Sequence, residues 1–177
     1  MSEIEFNLLD EPWIVVLKED GITEEMSITE VFRQAHKIKS IAGEISAQDT
    51  VVMRLLLAIM YATYYRARPE GGQGVPEDED EAIEMWADMW GKNQFDTALL
   101  EDYLKVHHDR FWLFHPRFPF YQALIERGTR YTSPKLIGEL SESENKPRLF
   151  GSRSGLGKTA ISYAEAARWL IYLNSFD

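Results

Sequence analysis

Cysteine is missing from the 177 residues, which removes a disulfide framework, a thiolate zinc site and cysteine catalysis at once. The same absence points to a reducing compartment. Long apolar runs are missing too. The longest, Val51 to Ala62, is interrupted by Arg54 and falls short of the roughly 20 residues needed to span a bilayer. The acidic start Met1-Ser2-Glu3-Ile4-Glu5 lacks the basic head and apolar core of an export signal, so a cytoplasmic protein with no membrane partner is expected. Positive charge is scarce: 19 Lys and Arg stand against 29 Asp and Glu, for a net charge of −10. That balance disfavours free-standing nucleic-acid binding held by phosphate contacts.

What is present is a chain 45% hydrophobic and 12% aromatic, enough for one core-forming domain. Phe6 to Leu17, the turn residues Glu19-Asp20-Gly21 and the stretch Ile22 to Met26 read as a strand, a turn and a second strand, the one clear β signal. Ser27 and Glu30 form a capping box for a helix reaching His36, with Ile28, Val31, Phe32 and Ala35 on one face. Ser46 and Asp49, a weaker box, open a long helix through Tyr65 that is apolar almost all round and is expected to be the central buried one. Pro69 to Pro76 is a glycine- and proline-rich loop. The acids Glu77 to Glu81 that follow read as a solvated loop and helix start, before a helix carrying Ile83, Trp86 and Trp90 and stopping at Gly91. Tyr61, Tyr64, Tyr65, Trp86 and Trp90 recur at helical spacing and are expected in the core. Thr97 to His108 is a further helix, Phe111 to Tyr121 an irregular aromatic segment, Ser133-Pro134 the start of a short helix to about Leu140, and Ser162 with Glu165 the box that starts a last helix. The fold class is therefore α+β, mainly helical, with a small N-terminal sheet, in a single domain over residues 1–177.

Catalytic signals are poor. Gly151-Ser152-Arg153-Ser154-Gly155-Leu156-Gly157-Lys158-Thr159 resembles a phosphate-binding loop, but that pattern needs four residues between its first glycine and Gly-Lys. Counting back from Gly157 puts Ser152 there, with Gly151 one residue too early. The extra residue rotates the backbone N–H groups away from a phosphate, and no buried strand leads in. His107 and His108 diverge by about 100° on a helix, and neither they nor His115 have clustered carboxylates to complete a metal site, so surface or packing roles are expected. No enzyme and no cofactor follow from these residues.

The charge distribution is more informative. Residues 146–158 contain Lys146, Arg148, Arg153 and Lys158 and no acid, so the acidic excess lies elsewhere. The same stretch carries Leu149-Phe150. A flexible basic loop with one ring can lay cations on phosphates and stack the ring on an unpaired base; the other use of Phe150 is as an anchor folded back into the core.

Several segments coincide with one family. Phe6-Asn7-Leu8-Leu9-Asp10-Glu11-Pro12-Trp13-Ile14 resembles the N-terminal signature of CasA, the large subunit of the type I-E CRISPR Cascade complex, with Val15 where the family has proline. Phe118-Pro119-Phe120-Tyr121-Gln122 is similar to its His-Pro-Phe-hydrophobic-Gln element, with Phe118 in place of the histidine. Arg148-Leu149-Phe150 resembles the tip of the family's first recognition loop, about residues 141–158 here, and Ala164 to Phe176 the helix after it. The resemblance implies a noncatalytic subunit of an RNA-guided antiviral ribonucleoprotein, docked on the 5′ handle of the CRISPR RNA and its handle-capping subunit, with the small subunit as a neighbour. It further implies help in recognising the protospacer-adjacent motif on target double-stranded DNA, and recruitment of a helicase–nuclease. Phe150 is then the key aromatic, backed by Arg148, Arg153 and Lys158 and flanked by Leu149, Gly151 and Ser152. Family members are much longer, so the chain is expected to be their N-terminal portion. A helical protein-interaction module without nucleic-acid contact and a nucleotide-binding protein using Lys158 are the alternatives.

Overall fold

Gly21 adopts a left-handed backbone, φ 84°, and this lets the chain reverse after Lys18. Gly21 N–H donates to the Lys18 carbonyl at 3.0 Å, Lys18 N–H to that of Ile22 at 2.9 Å, and Ile22 N–H to Asp20 Oδ1 at 3.0 Å. A three-residue loop ending in a left-handed glycine is a standard hairpin closure. It joins β2 (Ile14–Lys18) to β3 (Thr23–Met26), with Ile14 opposite Met26 and Leu17 opposite Thr23. Ile14, Val16 and Met26 point into the core.

The computed structural model describes residues 4–66, 76–123, 132–137, 153 and 160–175. Two strands that sequence alone does not reveal complete its small sheets. β4 (Ile38–Ile41) pairs antiparallel with the other edge of β2. β5 (Trp112–Phe114), inside the segment expected to be irregular, pairs with β1 (Glu5–Asn7). Both are short, and β5 finds its partner more than a hundred residues away, so neither leaves a period-2 pattern long enough to read.

The helices follow local chemistry. α1 (Ile28–Gln34) begins with the expected box: Ser27 Oγ accepts Glu30 N–H at 3.2 Å while Glu30 Oε2 accepts Ser27 N–H at 2.9 Å. It tightens into a 3₁₀ turn over Ala35–Lys37. α2 spans Ser46–Arg66, but Asp49 Oδ1 accepts the Gly43 N–H at 2.7 Å instead of closing a box on Ser46. α3 (Glu79–Gly91) and α4 (Thr97–Val106) are capped by Asp78 and Asp96. α5 is the short Ser133–Leu136, followed by the buried turn residue Ile137, with residues 138–140 lying outside those described. α6 (Tyr163–Ser175) carries its own box, Ser162 Oγ to Glu165 N–H at 3.2 Å and Glu165 Oε2 to Ser162 N–H at 2.7 Å.

Burial corrects two expectations. α2 turns Gln48, Val51, Val52, Leu56, Ile59 and Thr63 inward, whereas Met53, Leu57 and Tyr61 face outward, Tyr61 at 76% exposure. Trp86 and Trp90 are not in the core either, at 57% and 74% exposure. Helical periodicity marks an apolar face without saying whether the body covers it, and α3 buries no residue. Among the described residues no helix is long and apolar enough to cross a membrane.

The core centres on Leu8, Trp13 and Ile14, with α1, α2, α4 and α6 around them. Trp13 is fully buried, and its indole N–H donates to the Leu8 carbonyl at 3.0 Å. Buried Asn7 ties the two halves of the chain: its Oδ1 accepts Leu9 N–H at 3.0 Å and its Nδ2 donates to the His108 carbonyl at 3.2 Å. Asn7→Ala leaves the buried Leu9 N–H without its partner and removes one of two bonds to the His108 carbonyl, which Phe111 N–H also reaches at 3.1 Å, so we expect a loss of about 1–3 kcal/mol. It is read as a lower urea midpoint at unchanged slope; a midpoint equal to wild type would show that Asn7 holds nothing together.

Candidate nucleic-acid interface

Of the seven residues singled out for nucleic-acid contact, Arg148, Leu149, Phe150, Gly151, Ser152 and Lys158 lie outside the described residues. Arg153 is described, and it faces the protein. Its Nε donates to Glu44 Oε1 at 2.7 Å and its Nη2 to Glu44 Oε2, a two-pronged pairing, while Nη1 lies 3.1 Å from Glu165 Oε1. The Arg153 side chain is 10% exposed. A guanidinium held in a planar fork by one carboxylate and flanked by a second has its charge matched within the protein, so Arg153 is an anchor at the foot of the basic stretch.

Glu44 is the hub of this anchor. Besides Arg153 it accepts the Trp169 indole N–H at 3.0 Å. The Arg153 hydrogen bonds hold its carboxyl below the usual range against the opposing effect of burial, with the Trp169 bond and the charges of Arg153 and Arg168 adding to them. Glu165 does two jobs: Oε2 caps the first turn of α6 and Oε1 meets Arg153. One helix start thus builds the anchor, because positions 165 and 169 share a helical face. The sequence marks Glu165 as a cap and Trp169 as an aromatic of the last helix, and gives no sign of Glu44; a lone acid before α2 gives no local sign of an arginine 109 residues later.

The other segments behind the family resemblance are frame. In Phe118-Pro119-Phe120-Tyr121-Gln122, the Gln122 amide donates to the Leu113 carbonyl at 2.8 Å and Phe120 N–H to that of Trp112 at 2.8 Å, so the element folds back on β5. Phe118 is exposed, with the Arg110 guanidinium 4.8 Å from its ring centre. Asn174 on α6 donates to the Tyr121 carbonyl at 3.1 Å. The histidines are used locally: His115 Nδ1 accepts Arg117 and Phe118 N–H, and His108 Nε2 lies 2.7 Å from Asp10 Oδ2. Among the described residues no three His, Asp or Glu could together hold a metal ion. A cavity of about 220 Å³ between α1, β4 and α2 is lined mainly by apolar side chains, among them Phe32, Ile41, Leu56 and Met60, with Lys39 and Ser40 also on its wall.

Because the Glu44 carboxyl titrates below its ordinary range in the folded protein, the anchor is intact at neutral pH and fails only as pH falls through that lowered value. The NMR signal of the Trp169 indole N–H checks this. It should stay fixed while ordinary glutamates protonate and move only at lower pH, and the step should vanish in Glu44→Gln. Movement within the ordinary glutamate range would contradict the anchor.

Comparison with known proteins agrees with this frame. The family model described as CRISPR-associated protein Cse1 matches residues 7–177. The CRISPR-associated protein CasA/Cse1 of Thermus thermophilus is 37% identical over 172 residues, covering 97% of this chain and 31% of that protein. The crystal structure of Thermobifida fusca Cse1 superposes with a TM-score of 0.73 at 32% identity, over 94% of this chain and 29% of that one. A chain of a CRISPR RNA-guided surveillance complex gives a TM-score of 0.71 at 22% identity, over 94% and 33%, which speaks for the fold. The chain spans about a third or less of the length of each, and over that span it belongs to the CasA/Cse1 family.

Proposed function

We propose that the chain serves as a noncatalytic subunit of an RNA-guided antiviral surveillance complex, docking on the 5′ handle of the CRISPR RNA through the loop at residues 141–158. The observation that carries this reading is the family match over residues 7–177, joined to a loop whose Lys146, Arg148 and Lys158 stand in an otherwise acidic chain. A chain of the same fold occurs in a CRISPR RNA-guided surveillance complex. Phe150 stacks on an unpaired handle base or on the handle-capping subunit, and Arg148 and Lys158 lie along phosphates. Leu149, Gly151 and Ser152 shape the tip. Arg153 acts as a positioning residue, since its guanidinium is engaged by Glu44 and Glu165. Recognition of the protospacer-adjacent motif on double-stranded DNA, contact with the small subunit and recruitment of the helicase–nuclease belong to the same reading, carried out in the cytoplasm.

An acidic protein can do this because neighbouring proteins hold it in place. Counterion release needs only a few local cations, and base stacking is indifferent to net charge.

Affinity for the surveillance complex lacking this subunit tests the reading. Phe150→Ala should lose about 1–3 kcal/mol, roughly 5- to 150-fold. Arg148→Ala and Lys158→Ala should each lower the slope of log affinity against log salt by about 0.7. Arg153→Ala should weaken binding while leaving that slope near wild type. Unchanged affinity in Phe150→Ala would sink the docking role, and a slope change in Arg153→Ala would return that residue to the phosphate contacts.

A further inference from the structure

The seven acids Glu77, Asp78, Glu79, Asp80, Glu81, Glu84 and Asp88 precede the next basic residue, Lys92. All seven are exposed, and none forms an ion pair among the described residues. Asp78 and Glu81 are used locally, Asp78 Oδ1 accepting Glu81 N–H at 2.9 Å and Glu81 Oε2 accepting Glu77 N–H at 2.6 Å. On the same helix Ile83, Trp86 and Trp90 form an exposed stripe at i, i+3 and i+7, and the two indoles stack with centroids 5.5 Å apart and planes 22° apart. Ala82, Met85 and Met89 are half-buried. α3 thus has a half-buried apolar side and an open one, and the open side carries both indoles.

We propose that α3 is a docking helix whose Ile83–Trp86–Trp90 stripe seats in an apolar groove, rimmed by lysine and arginine, on a partner protein of the assembly. The proposal rests on the functional reading above for the identity of that assembly. Three anchors at this spacing are how an amphipathic helix enters a groove, and a clustered apolar patch of this kind marks an interaction surface. Charge selects the occupant. Acids flanking the stripe repel the phosphates of nucleic acid and the anionic headgroups of a membrane surface, and a second copy would oppose one acidic cluster with another. Lysine and arginine at the rim answer the carboxylates and lie over the indole faces, the best ring for such contacts.

Binding to the purified surveillance complex lacking this subunit is compared for wild type, Trp86→Ala/Trp90→Ala, Glu84→Lys/Asp88→Lys and Phe150→Ala. The substituted α3 residues are exposed, so circular dichroism should match wild type. We expect at least tenfold weaker binding for the tryptophan pair, and a loss for the charge pair that shrinks as salt rises. Wild-type binding by both α3 variants beside a weakened Phe150→Ala would overturn the docking helix and leave the loop reading standing. The reverse pattern supports the helix and overturns the loop. Loss in the tryptophan pair without loss in the charge pair overturns the basic rim. No binding by wild type overturns both readings, and a dimer of the free chain that disappears in the tryptophan pair replaces the basic partner with a second copy.

Discussion

Arg168 joins the end of the described chain to its beginning, and the loop anchor depends on that join. Its guanidinium is nearly buried, and Nη1 donates to the Trp13 carbonyl at 2.6 Å and to Glu25 Oε1 at 2.7 Å. A charge in that position is tolerable only when paired and hydrogen-bonded, so α6 cannot turn about its axis or slide without stranding it. Around this pin, Ala164 and Ala167 are small enough to bring α6 close to the core that it shares with α2. Tyr163 reaches the β1–β5 ribbon, its hydroxyl donating to Glu5 at 2.9 Å and its ring packing on Phe6 and Phe114. Glu165 and Trp169 are then delivered to Glu44 and Arg153. One helix, held by one guanidinium, fixes the foot of the basic loop.

The charge pattern takes on a different meaning in this light. Net charge alone describes an acidic protein, whereas the distribution separates three uses of charge. Arg153 is cancelled locally by Glu44 and Glu165 and acts as structure. Lys146, Arg148 and Lys158 are the cations that the proposed function assigns to a phosphate backbone, and the acids of α3 flank a stripe of exposed indoles. Each use follows from neighbours that a count of residues does not record.

Local features were legible from sequence because their causes are local. The Ser27 and Ser162 boxes and the Asp20-Gly21 turn each need only residues within four positions of one another. β4 and β5 escaped because a strand of three or four residues has no periodicity of its own and exists only through its partner. The outward turn of Trp86 and Trp90 escaped for a related reason: an apolar stripe says what a helix can bury, and the body decides whether it does. At the candidate interface, the basic stretch and its ring were visible in sequence, while the pairing of Arg153 required seeing Glu44 brought across from just before α2.

The motifs that carry the family resemblance sit in the frame, and this bears on how far such resemblance reaches. Asn7 braces β1 against the turn after α4, Trp13 closes on the Leu8 carbonyl, and Gln122 folds its segment onto β5. Each supplies a hydrogen bond to a buried or strand-edge backbone group, and Asn7 is the side-chain partner of the buried Leu9 N–H; such bonds tolerate little substitution because an orphaned group costs more than the bond contributes. Residues of this kind identify the fold with confidence for physical reasons unconnected with what it binds. In the proposed reading, binding falls instead to positions under looser constraint, the basic stretch next to Arg153 and the open face of α3. A relative sharing the Asn7, Trp13 and Gln122 frame therefore shares the platform, and on the proposed reading its partners follow the charge and ring content of those two surfaces.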